Sequence, residues 1–382
     1  MATTASHQPT LLTRTGAGGP RRRGGRRAAA LLVPFLLAAS ATACQPTTVA
    51  APARPAPAEV GLWTSRAELM ELPTSGPAWA HLVQEAQSDW GTPSLADNNA
   101  QHDTSTLAGA LVSVRTGDAA LATKTRAAIM AVTRTTSYAR VLELSRNLPS
   151  YVIAANLIHL SPSDDARFRT FISALRTKPL DGHSGGTDLL STALRSPNNW
   201  GAMARAAMVS IDLYLGDRSQ LATLAATHRA WLGEAVSSQL RYSDTGWHAT
   251  GRLAGINPRA SKNAAGRYVG GVLPEDQRRT GEPSVRGMAP KGSYPWEALQ
   301  GALVTGVLLD RAGLVDIDAG DQALRRAFVW LIDNNDNPPA SDDLWQPWTL
   351  NAVSGTHFSA KLTKSPGKNM AWTDWVDGPA GR

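Results

Sequence analysis

The 382-residue sequence predicts an all-α fold, a toroid or solenoid of helical hairpins with long loops gathered at one mouth. Three observations predict it. Apolar residues recur at helical spacing over one stretch after another, and no β-branched run shows strand alternation. An apolar helix, a Gly-Asp pair and a second helix also recur along the chain at near-constant spacing.

The helical stretches fall in order at 65–72, 79–90, 104–116, 119–135, 140–159 and 162–177, with further ones at 202–215 and 296–309. Pro162 followed by Ser163, Asp164 and Asp165 marks a helix start, because proline fits the first turn and acids favour it. The repeat reads Ala-Leu-Val-Ser-Val-Arg-Thr-Gly-Asp over 110–118 and Met-Val-Ser-Ile-Asp-Leu-Tyr-Leu-Gly-Asp over 208–217. Leu121 and Leu221 follow three and four residues after the aspartates, and a looser copy spans 303–313 before 322–332. Gly117, Gly216 and Gly313 lie 99 and 97 residues apart. In each copy the glycine closes one helix and an aspartate caps the next.

Two segments break the pattern. Residues 243–295 are dense in Gly, Pro, Arg, Asn and Ser, and 334–375 are similar but carry Trp345, Trp348, Trp372 and Trp375, with Trp330 just before. Long irregular segments inside a domain are usually functional or disordered. Aromatic residues argue for order, so both read as ordered loops at the mouth of the helical assembly.

The N-terminus reads as an export signal over residues 1–44. Arg14, Arg21, Arg22, Arg23, Arg26 and Arg27 precede an apolar run from Ala28 to Ala43, which is short for a membrane span of about 20 residues. Cys44 directly follows Ala-Thr-Ala and resembles the lipidated cysteine of a bacterial lipoprotein. Cleavage after Ala43, leaving a free thiol, is the alternative. The paired arginines permit twin-arginine as well as general export. Residues 45–60 are rich in Pro, Ala and Thr and read as a tether, which leaves 61–382 as one domain.

Removing the signal changes the charge. The chain has 38 basic and 31 acidic residues, and six arginines but no acid precede Cys44, so the remainder is 32 against 31, or +1. That balance gives no case for a nucleic-acid partner. With its one cysteine at the start of the mature part, the domain holds no internal disulfide and no cysteine-based zinc site. No histidine spacing suggests a metal, no cofactor is expected, and the chain reads as a monomer.

Four stretches concentrate chemistry-bearing residues: 196–201 with Asn198, Asn199 and Trp200; 246–251 with Trp247 and His248; 273–297; and 367–375 with Lys368, Asn369 and Trp372. Together they resemble the alginate lyase family of bacterial polysaccharide lyases. The matching pieces are Asn198-Asn-Trp200, Tyr294-Pro-Trp-Glu-Ala-Leu-Gln-Gly301, Asp342-Asp-Leu-Trp-Gln-Pro-Trp348 and Gly367-Lys-Asn-Met-Ala-Trp-Thr-Asp-Trp375. They occur in the family's order over most of the chain from about Trp79 onward. The resemblance implies an (α/α) toroid and β-elimination on a uronic-acid polysaccharide such as alginate or glucuronan.

Elementary chemistry defines the roles, and the resemblance implies which residues fill them. Removing the C5 proton of a uronate requires that its carboxylate be neutralised by donors, with a base for the proton and an acid for the departing O4. Tyr294 is the expected base and acid; the competing reading is an aromatic staple at a helix start. Asn199 is the expected carboxylate neutraliser, against a helix-capping role, with Asn198 next. His248, in a glycine-bounded loop beside Trp247, is preferred to His159, His102, His357 and His183. Arg279 and Arg286 compete for the carboxylate-binding arginine. Trp200, Trp247 and Trp372 are candidate sugar platforms, as are Trp345 and Trp348. Lys368 and Asn369 are candidate contacts to an anionic chain. Glu275 and Glu297 are the carboxylates that a glycoside hydrolase on the same fold would use. A lipoprotein that binds polyuronate without cleaving it is the third reading.

Overall fold

The computed structural model describes residues 61–235, 237, 239–284, 287–362 and 370–378. These belong to one unit, and they are helical, with no strand longer than the isolated bridges Leu95–Tyr138, Arg140–Asp181 and Lys262–Tyr268. In chain order the helices are α1 (Arg66–Glu71), α2 (Pro77–Gln87), α3 (His102–Thr116), α4 (Ala119–Val132), α5 (Val141–Ile158), α6 (Pro162–Leu175), α7 (Leu189–Arg195), α8 (Asn199–Leu215) and α9 (Arg218–Leu232). There follow α10 (Pro274–Gln277), α11 (Tyr294–Arg311), α12 (Ala319–Val329), α13 (Gln346–Ser354) and α14 (Thr373–Val376).

Four of these helices are buried nearly all round: α3, α5, α8 and α11. A helix that is apolar or small on every face belongs inside. They pack side by side in that order, α3 on α5, α5 on α8, and α8 on α11. The others bury one face. In α6 that face is Phe168, Ile172 and Leu175, at helical spacing, and burying each contributes about 1.5–3 kcal/mol. From α11 the contacts continue through α13 and α14 to α2, which packs on α3. Trp372 Nε1 donates to Thr104 O at 2.8 Å and Trp375 Nε1 to Pro73 O at 2.9 Å, tying the C-terminal segment to the first helices.

The Gly-Asp hairpins form as their residues dictate. Gly117 and Gly216 both adopt the left-handed conformation that ends a helix. Asp118 and Asp217 then accept from the backbone N–H groups of Leu121 and Gln220. The third copy departs. Gly313 is also left-handed, but Asp310 accepts from Ile317 N and α12 is entered through a left-handed turn at Gly320, Asp321 and Gln322. A further hairpin, α5 to α6, turns at His159 and starts at Ser161, whose hydroxyl accepts from Asp164 N. The segment 334–375, expected to be irregular, contains the nine-residue α13. That helix is short and weakly periodic, and it forms where Pro347 sits in its first turn and Leu350 packs into the core.

The closest approach of two buried helices sets the site. A Cβ added at Gly301 of α11 would lie 2.4 Å from the backbone of Ala202 and Met203 in α8. Only glycine lets these backbones meet, and the meeting brings the first turns of both helices together.

Candidate active site

The chain enters α8 by a tight turn. Pro197 O accepts from Trp231 Nε1 at 2.6 Å, and the buried Arg205 donates to Ala193 O and Ser196 O. Gly201 completes the turn, since a Cβ there would fall 1.8 Å from Ser196 O. This explains Asn-Asn-Trp-Gly as a local pattern. Asn198 stands in the capping position, yet its side chain makes no capping bond. Its Nδ2 lies 3.2 Å from His183 Nδ1 instead.

Asn199 is 1% exposed and its amide faces away from its own helix. The backbone N–H donates to Asp276 Oδ1 at 2.9 Å, Nδ2 donates to Glu297 Oε2 at 2.5 Å, and Oδ1 accepts from Arg279 Nη1 at 3.4 Å. The competing capping reading of Asn199 therefore falls, and the Asn198 side chain makes no capping bond to α8 either. The Arg279 guanidinium lies 3.6 Å from the centroid of the Tyr294 ring, a cation–π distance. Tyr294 opens α11 and Glu297 sits in its first turn. Three expected residues, Asn199, Arg279 and Tyr294, thus converge on one place, joined by Glu297. The N-terminal ends of α8 and α11 meet there too, and such ends favour anions.

Behind this cluster lies a buried polar layer. Glu275 is 2% exposed. Its Oε1 accepts from Ser243 N at 2.6 Å and lies 3.3 Å from His248 Nε2, and its Oε2 accepts from Arg278 Nε at 3.3 Å. Burial alone would raise the Glu275 carboxyl, but hydrogen bonds from His248 and Ser243 hold it below the ordinary value. The neighbouring Asp276 is pushed well up by burial, despite the bond from Asn199. His248 Nε2 also lies 3.2 Å from Ser243 O. Both of its partners are acceptors, so Nε2 carries the proton. His248 is accordingly engaged with Glu275 rather than with Asn199 or Arg279.

The histidine beside Asn198 is His183, which the sequence ranks low. It is half-buried, and its ring centroid lies 5.7 Å from that of Trp200. Burial first, and then Arg279 and Arg278, lower its pKa. Trp200 is half-exposed with Arg140 5.3 Å from its ring centre. Trp247 and Trp372, by contrast, are 0% and 1% exposed, with Arg267 over the Trp247 ring and His81 edge-on to Trp372. They are corrected from sugar platforms to packing residues, and so is Trp345. Trp348 is half-exposed and donates to Lys361 O. Arg286, Lys368, Asn369 and Cys44 lie outside the described residues.

One participant has no counterpart in the sequence reading. Arg146 of α5 donates to Glu297 Oε1 and, at 2.7 Å, to Asp342 Oδ2. Its signal was a basic residue in a long, mostly apolar helix, which must find a partner when buried. Among the described residues no group of three or more His, Cys, Asp or Glu is placed to hold a metal ion. No helix among them is long and apolar enough to cross a membrane. No protein-family model matches the chain, and no curated protein matches it.

Proposed function

We propose that the chain is a polysaccharide lyase that cleaves a uronic-acid-containing polysaccharide by β-elimination, on a helical ring of the (α/α) toroid type. The observation that carries this reading is the convergence of Tyr294, Arg279 and Asn199 at the meeting helix ends. The succession of packed helices that returns from α11 through α13 and α14 to α2 supports the toroid. The ordered motifs at 198–200, 294–301, 342–348 and 367–375 support the family.

In this reading the uronate carboxylate binds to the Asn199 amide and the Arg279 guanidinium, which withdraw its charge and stabilise the enolate-like state. The Tyr294 phenolate takes the C5 proton, the C4–C5 double bond forms and the C4–O4 bond breaks. The same hydroxyl then returns its proton to O4, so removal and delivery occur on one face of the sugar. Trp200 offers the open aromatic face for stacking, and His183 stands beside it as a third donor to the carboxylate. His248 and Glu275 act at one remove. They hold Arg278 and the turn that carries Asp276 and Arg279.

We further propose that the chain is exported by its N-terminal signal and tethered by lipid at Cys44, or released by cleavage before it. The test of the activity is incubation of the protein with alginate, glucuronan and related polyuronates. The expected product carries the ultraviolet band of a C4–C5 unsaturated uronate. New reducing ends without that band would indicate hydrolysis, and binding without any product would indicate a carrier.

A further inference from the structure

A cleft of about 400 Å³ opens beside the cluster, between α5, the first turn of α11 and the turn Ser341–Asp343. Its charge is unlike that of the uronate-binding groups. Glu297 and Asp342 face it with one cation, Arg146, which is already bonded to both. Asp343 is buried at its floor, its carboxyl pushed well up by burial and then by Asp342. It accepts from Gln300 Nε2 at 2.6 Å and from Gln346 Nε2 at 3.0 Å.

Among the described residues, two acceptors and one donor in this cleft are left over, the donor being the buried Arg146 Nε, and a sugar hydroxyl can serve either kind. Gln300 is 1% exposed, and its Oε1 has no hydrogen-bond partner among the described residues. Its orientation is fixed, because Nε2 also donates to Asp342 O at 3.2 Å. Asn98 Oδ1, of another residue lining the cleft, is buried and equally without a partner among the described residues. A buried acceptor without a donor is unfavourable and is usually completed by water or ligand.

We propose that this cleft is a sugar subsite for a residue that carries hydrogen-bond donors and no anionic group, a neutral hexose or an amino sugar. It rests on the lyase reading for its neighbour, the uronate at Asn199 and Arg279. A second uronate here would set its carboxylate against Asp342, where like charges repel, and Arg146 is already paired with Asp342 and Glu297; at the neighbouring site the Arg279 guanidinium beside Asn199 offsets the charge of Glu297. A hydroxyl or an ammonium would instead complete Gln300 Oε1 and the free lone pairs of Asp342. The substrate implied is a copolymer in which uronates are interspersed with uncharged or amino sugars, rather than a pure polyuronate.

The test is calorimetric titration of the full chain with three tetrasaccharides: uronate only, uronate alternating with neutral hexose, and uronate alternating with hexosamine. A mixed tetrasaccharide binds tighter by about tenfold or more, the equivalent of one good charge-assisted hydrogen bond. Preference for the hexosamine form assigns the recognition to Asp342, and Asp342→Asn then removes it. Preference for the neutral form assigns it to Gln300, and Gln300→Leu removes it. Asp342 is at the surface of the cleft, so its variant folds even if the Gln300 variant does not. Equal or tighter binding of the uronate-only tetrasaccharide overturns the proposal. Binding is read without turnover, so a retained preference with no cleavage of any polymer sinks the lyase reading and leaves the subsite standing.

Discussion

At the scale of single residues, the candidate site is made of groups that neither cap helices nor fill the core. Asn199 illustrates this. An asparagine at a helix start ordinarily bonds its own helix, yet this one spends its amide on Glu297 and Arg279. Replacing it with alanine should leave the fold intact and lower turnover by about a hundredfold to a thousandfold, the usual effect of removing one donor to a developing oxyanion. Steady-state rates with circular dichroism as a folding control check it, and an unaltered turnover would remove Asn199 from the mechanism. A second prediction concerns acid stability. His228 is fully buried, and its pKa falls to about 3, chiefly by burial and then by Arg205. A histidine lowered on folding binds its proton more readily when unfolded. Stability is therefore complete above the unfolded value near 6.5 and is lost as pH falls toward 3. From this group alone the protein should lose about 3 kcal/mol between pH 7 and pH 4. Urea unfolding of His228→Leu should show a much smaller difference between those two pH values than the parent shows.

At the scale of elements, the decisive contact is α8 against α11. Gly301→Ala would press a methyl group into the α8 backbone, and overpacking of this kind costs about 1–3 kcal/mol or more. The melting temperature should drop, and turnover should fall more than stability explains, because Asn199 and Tyr294 ride on the two helices forced apart. A variant that melts lower but keeps full turnover would show that the site does not depend on this contact. Much of the element scale was legible in the sequence. The periodicity placed α3 through α6 within a few residues, and the Gly-Asp pairs announced two hairpins, since each residue has one local job. The third hairpin was obscured because Asp310 reaches forward to Ile317 instead of capping the next helix. The helix α13 was hidden because its nine residues are held by core packing rather than by pattern.

At the scale of the whole molecule, the site joins residues far apart in the chain. The segments around Asn199, Arg279 and Tyr294 were visible because unusual residue types cluster in short stretches. Arg146 was not, because its partners Glu297 and Asp342 lie 151 and 196 residues away. His183 was passed over for the same reason: a Gly/Ser-rich loop says nothing of what it folds against. Twelve tryptophans invited a row of sugar platforms, but among the described residues only Trp79, Trp200 and Trp348 remain half-exposed. Burial depends on the completed fold, so sequence could not sort them. Location is also a property of the whole chain. Cys44→Ala should leave an exported protein in the medium if lipid tethers it, a shift read by fractionating membranes from culture fluid. No change in distribution would favour plain cleavage before Cys44.

The central claim is that Tyr294 moves the proton in a β-elimination, and the most direct measurement is the unsaturated-uronate absorbance produced by Tyr294→Phe beside the parent. This variant keeps the ring that packs under Arg279 and removes only the hydroxyl. Tyr294→Phe should fold, still bind its polymer and yield product at a rate lower by about a hundredfold to ten-thousandfold. Product formation at the parental rate would contradict the claim.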